Sequence, residues 1–153
     1  MSTKKHFTAH KVLLEKVQNA ERQLESLQEG LSHPEVTDPS KDSIQGGERT
    51  EYLSTQLHQI EVLRSELNRL YELREFQHRT LWPMTETLKN SNEATVLQQK
   101  YFFLKSPAEI ARFIFGEEDN FEKQQPYYKD KVSRLHTSAF AKLRKAESED
   151  SNH

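Results

Sequence analysis

Residues 129–145 read KDKVSRLHTSAFAKLRK, with apolar side chains recurring at Val132, Leu135, Ala139 or Phe140, and Leu143. Steps of three and four place them on one stripe of an α-helix. The other face carries Lys129, Lys131, Arg134, Lys142, Arg144 and Lys145 against a single acid, Asp130. A short basic helix that docks by one face and offers cations on the other suits a DNA groove. The competing reading is a solvated surface helix that is basic by composition alone.

Upstream, Asn92 precedes a run with Ala94, Val96, Leu97, Tyr101 and Phe102, which predicts a second helix. Ser106-Pro107-Ala108-Glu109 is then a strong helix start. Serine caps, proline occupies the first helical position where no donor is needed, and glutamate closes a capping box. The helix it opens buries Ile110, Ala111 and Ile114 or Phe113, and Gly116 is placed to take a left-handed stop. Ala111 is the small residue that lets a following helix cross closely.

Glu109-Ile110-Ala111, then residues 129–136 (KDKVSRLH), then 139–144 (AFAKLR) resemble the C-terminal promoter-reading domain of sigma factors. That family runs E-I-A or E-I-G, a turn, R-E-R-I-R-Q-I-E, then A-L-x-K-L-R. The resemblance implies that Lys129, Asp130, Lys131 and Arg134 contact DNA, while Val132, Leu135, Ala139 and Leu143 pack. Two features depart from the pattern. Residues 117–126 (EEDNFEKQQP) are inserted where the family has a short turn, and Tyr128 stands where it has a capping Ser or Thr. Gln125 or Asp130 is then the candidate cap, with Pro126 first in the helix.

The chain has 153 residues, enough for one ordinary domain or two small ones. Hydrophobic content of 33%, 30% charge and a mean hydropathy of −0.94 suit long exposed helices, as do only four glycines. There is no apolar run of membrane-spanning length, and MSTKKHFTAHK does not lead into a signal-peptide core, so a cytoplasmic protein without membrane contact is expected. Zero cysteines exclude disulfides and thiolate chemistry. The net charge of −2 hides a gradient: residues 121–146 carry seven basic and two acidic side chains, a local +5.

Residues 1–9 read as a flexible tail. From His10, apolar residues fall at Leu13, Val17, Ala20, Leu24, Leu27 and Leu31, a coiled-coil seam of alternating four and three. Residues 32–47 (SHPEVTDPSKDSIQGG) predict a loop. A helix over residues 48–82 buries Leu53, Leu57, Ile60, Leu63, Leu67 and Leu70, with Leu81 beyond, and Arg74, Gln77 and His78 mark where burial should stop. At 1.5 Å per residue it is roughly 50 Å long. That exceeds what the first helix covers, so its remaining apolar face should pair with a second copy or with the C-terminal part. Pro83 should break or kink it, with Trp82 packed under the junction, residues 85–88 finishing a short helix and residues 89–91 a hinge. Residues 147–153 (ESEDSNH) read as an acidic tail.

The expected fold is therefore all-α. An N-terminal antiparallel helical hairpin or coiled coil (residues 10–90) precedes a small sigma-like helix-turn-helix domain (residues 91–146). With the Ser43–Gly47 motif in the loop, this order resembles small proteins of phages of Gram-positive bacteria, related to the ArpU-type late-gene transcription regulators. The similarity spans about residues 10–146 and is most specific at 98–111 (QQKYFFLKSPAEIA) and 132–139 (VSRLHTSA). It implies DNA-linked regulation.

Seven histidines invite a metal site, but His6 and His10 lack a third ligand nearby. His136 is expected at a phosphate or at the turn. Glu117-Glu118-Asp119 reads as a solvated loop. With no phosphate loop, nucleophile elbow or H-E-x-x-H, neither catalysis, metal nor cofactor is expected. The expected function is transcription regulation as a homo-oligomer. Lys129, Lys131 and Arg134 would reach bases or phosphates, Asp130 would accept from a cytosine amino group, and Lys142, Arg144 and Lys145 would hold the backbone. The rivals are a module docking on RNA polymerase or another phage protein, and a DNA-packaging component.

Overall fold

The computed structural model describes residues 2–32 and 46–151, and all regular structure among them is helical. The helices are α1 (Thr3–Ser32), α2 (Gly46–Glu86), α3 (Ser91–Tyr101), α4 (Pro107–Phe115) and α5 (Gln125–Ser151). The 33–45 part of the expected loop lies outside the described residues. No helix among the described residues is long and apolar enough to cross a membrane. The chain divides into two compact units, a central one (Glu15–Leu73) and a terminal one (Met1–Leu14 with Arg74–His153), rather than at the expected boundary near residue 90.

In the central unit Val17, Ala20, Ile60, Leu67 and Leu70 are buried, as the seam predicts. Lys16 of α1 lies within electrostatic reach of Glu66 of α2, and Gly30 stands beside Gln56. Leu53 and Leu57, expected inside, are 40% and 52% exposed. Gln56 stands beside Gly30, two residues before the last residue of α1, so little of α1 remains to cover Leu53.

The terminal unit departs from several expectations. The tail over residues 1–9 is helix from Thr3, because Phe7 is fully buried among Leu81, Leu88, Leu97, Tyr101, Ala139, Phe140 and Leu143. Edge-on contacts with the rings of Tyr101 (5.5 Å) and Phe140 (5.4 Å) fix its orientation. The acidic tail is likewise helix as far as Ser151, and its Glu147 accepts a 2.6 Å bond from the Thr3 hydroxyl. Pro83 does not end α2, which runs on to Glu86. Leu81 and Leu88 are buried and Met84 half-buried on either side of Pro83, and this packing offsets the missing donor. Nor does burial stop at Gln77, whose side-chain oxygen lies 2.9 Å from His10 Nδ1. Trp82 stacks on His78 and meets Phe102 and Phe103 edge-on.

The residues expected as a hinge hold a cap. The Asn90 side chain accepts from the backbone N–H of Asn92 (2.9 Å) and Glu93 (3.3 Å), starting α3 one residue earlier than the pattern suggests. A second cluster of Val96, Ile110, Ala111, Phe121, Tyr128 and Val132 joins α3, α4 and α5.

Candidate nucleic-acid interface

α4 forms as its sequence dictates. Ser106 Oγ accepts from the Glu109 N–H and Glu109 Oε1 accepts from the Ser106 N–H, both at 3.2 Å. These bonds hold the Glu109 carboxyl below the usual carboxylate range. Replacing Ser106 with alanine removes one partner from an exposed cap, and we expect a loss of about 1 kcal/mol in urea unfolding with no change in the cooperativity of the transition. Gly116 is right-handed (φ −61°, ψ −21°), not the expected left-handed stop. A Cβ there would lie 2.2 Å from the Arg112 carbonyl oxygen, so close approach, rather than φ, calls for glycine.

The insertion after α4 folds back as turns over residues 116–123, and α5 begins at Gln125, so Pro126 is already helical. Phe121 is buried in the α3–α4–α5 cluster, the Tyr128 hydroxyl donates to Asn120, and Arg112 pairs with Glu122 at 3.0 Å. The Arg112 guanidinium also lies over the Phe121 ring at 5.3 Å. Tyr128 is therefore a core residue, and α5 begins upstream of it at Gln125. Across this brace Ala111 is 1% exposed and packs with Tyr128 and Val132 of α5.

The seven residues singled out on α5 fare differently. Lys129, Arg144 and Lys145 are exposed and have no carboxylate partner among the described residues. Asp130 and Arg134 pair with each other at 3.0 Å, one turn apart, at 57% and 77% exposure. Such a pair holds little energy and opens readily to a ligand. Lys131 is half-buried over three rings, Phe115, Tyr127 and Tyr128, at 5.3, 5.1 and 5.8 Å.

Lys142 turns inward: its Nζ lies 2.8 Å from Oε1 of Glu93, a carboxylate only 3% exposed that also accepts from the Ser138 hydroxyl at 2.8 Å. The expected backbone contact is thus an ion pair tying α5 to α3. His136 departs from expectation as well. Its Nε2 lies 2.7 Å from the Tyr101 hydroxyl, and burial, with Lys100 and Lys4 adding, pushes its pKa down to about 4. It is a neutral ring at neutral pH. Burial pushes the Tyr101 hydroxyl up to about 12.

Charge divides as the units do. The terminal unit carries 16 basic and 12 acidic side chains, a net +4, and the central unit 6 against 12, a net −6. Among the described residues no group of His, Asp and Glu is arranged to hold a metal ion. Comparison of the chain with protein-family models, curated proteins and solved structures returns no match.

Proposed function

We propose that the protein is a non-catalytic, sequence-specific DNA-binding regulator of the phage type. In this reading α4 and α5 act as a sigma-like helix-turn-helix, and α1 and α2 as an antiparallel hairpin that joins copies into a homo-oligomer. The observation that carries it is the outward arc of α5. Arg134, Arg144 and Lys145 share the side of the helix opposite Val132, Ala139 and Leu143, with Lys129 exposed at the helix start on the side toward α4, in the unit of positive net charge. The N-terminal part of α5 would reach base edges, with Asp130 freed from Arg134 to accept from a cytosine, while Arg144 and Lys145 neutralise phosphates. The sequence resemblance to sigma-factor and ArpU-type proteins supports the same reading.

The test is a titration of duplex DNA across salt. The double variant R134A/K145A is expected to bind at least tenfold more weakly near 0.1 M salt and to flatten log K against log [salt] by about 2. Unchanged affinity rejects α5 as the reader.

A second reading, docking on RNA polymerase or another phage protein, is favoured by the exposed aromatics of α4 and α5, Phe113 (68%) and Tyr127 (49%). Absence of DNA binding at low salt, with a defined protein partner, would decide for it. The exposed Tyr52, Leu53, Leu57 and Val62 of the central unit are the surface proposed for self-association. Solution mass separates a dimer from the larger ring expected of a packaging component.

A further inference from the structure

Lys4, Lys11 and Lys100 all lie outside the basic stretch of residues 129–145. Yet the fold gathers them. Seven residues apart on α1, Lys4 and Lys11 stand on one side of the helix about 10 Å from each other. Phe7, between them in sequence, is wedged against Tyr101 and Phe140, and the Thr3 bond to Glu147 fixes the start of α1 against α5. Lys100 closes α3 and lies with its ammonium over the Tyr101 ring at 5.5 Å. The Tyr101–His136 bond ties that ring to α5.

The three cations are not neutralised. None has a carboxylate within ion-pair distance among the described residues. Burial lowers the Lys100 pKa, and Lys11 and Lys4 lower it further, which places both within electrostatic reach. No acid appears among the groups acting on Lys100 or on His136. Crowded cations beside a neutral histidine cost repulsion in the free protein, and an anion laid across them removes that cost.

We propose that Lys4, Lys11 and Lys100 form a second phosphate-contact patch for the DNA backbone, separate from the outward arc of α5 and built by packing α1 against α3. The proposal rests on the DNA-binding reading and extends its footprint to a helix outside the helix-turn-helix. A regularly spaced polyanion fits better than a single small anion. Each strand carries a phosphate about every 3.4 Å of duplex axis, so two cations about 10 Å apart on α1 can meet different phosphates of the same strand.

The experiment is fluorescence anisotropy with a labelled duplex of about 25 base pairs from 25 to 300 mM KCl. It compares wild type, K4Q/K11Q/K100Q and a charge-matched control, K89Q/K105Q/K123Q. The patch variant is expected to lose at least tenfold in affinity at ~100 mM salt and to flatten the salt slope by about 2–3, at ~0.9 per phosphate contact. The control is expected to move the slope by less than ~1, and K4R/K11R/K100R to keep it. Circular dichroism and urea midpoints check that all variants fold as wild type. A patch variant that matches the control overturns the patch and leaves α5 as the reader. A wild type that does not bind the duplex at 25 mM overturns both.

Discussion

Replacing Lys142 with methionine is expected to lower stability by about 3 kcal/mol, although Lys142 sits on a basic helix and its side chain is 53% exposed. The cost arises on the other side of the pair. Glu93 is 3% exposed, and its Oε1 accepts from Lys142 and Ser138 while its Oε2 is buried with no hydrogen-bond partner. Without the ammonium, a carboxylate inside the helical cluster keeps one neutral donor. Uncompensated buried charges cost 3–5 kcal/mol, and the low end applies because Ser138 remains and water reaches the Lys142 side. The double variant E93Q/K142M removes both charges and should regain more than half of the loss, so a urea double-mutant cycle shows strong coupling. A purely DNA-facing lysine predicts the opposite pattern: an unchanged urea midpoint and a salt slope reduced by about 1.

That contrast shows why the candidate site was only partly legible in the sequence. The α5 stripe and the Ser106–Glu109 box are local: three-and-four periodicity and a serine three residues before a glutamate fix their own geometry. Ala111, picked out as the small residue, indeed packs against α5. Lys142 has the same local signature as Lys145, and its inward turn is set by a partner 49 positions away. Glu93 lies in a polar stretch where nothing marks it for burial. Phe121 stands alone in an acidic insertion, and a single apolar residue carries no period. The missing donor of Pro83 is a local fact and predicts a break or a kink, whereas the packing of Leu81 and Leu88 that carries α2 on to Glu86 is not local. Where the outcome depends on which helices meet, pattern alone stops short.

The start of the chain is the sharpest case, and Phe7→Ala is expected to cost about 3–5 kcal/mol. Between lysines and threonines, Phe7 has the look of a tail residue, and a tail residue would leave the urea midpoint unmoved. In the structure it has no exposed surface and lies edge-on to Tyr101, Phe102 and Phe140. Alanine would leave a cavity beneath three aromatic rings that helices α1, α3 and α5 share. Against a total stability of about 5–15 kcal/mol for an ordinary domain, this single truncation removes a large fraction. Phe7→Leu keeps most of the volume and should cost less than half as much. Hydrogen exchange over residues 3–14 reports the same event locally, since those amides lose protection once α1 is no longer anchored. The effect also reaches the proposed patch, because Phe7 positions Lys4 and Lys11 beside Lys100. At temperatures where the variant remains folded, F7A should bind DNA with a flatter salt dependence while every lysine is still present. A salt slope equal to wild type, in a variant whose first helix has come loose, would mean that the α1 lysines need no fixed geometry to meet phosphate.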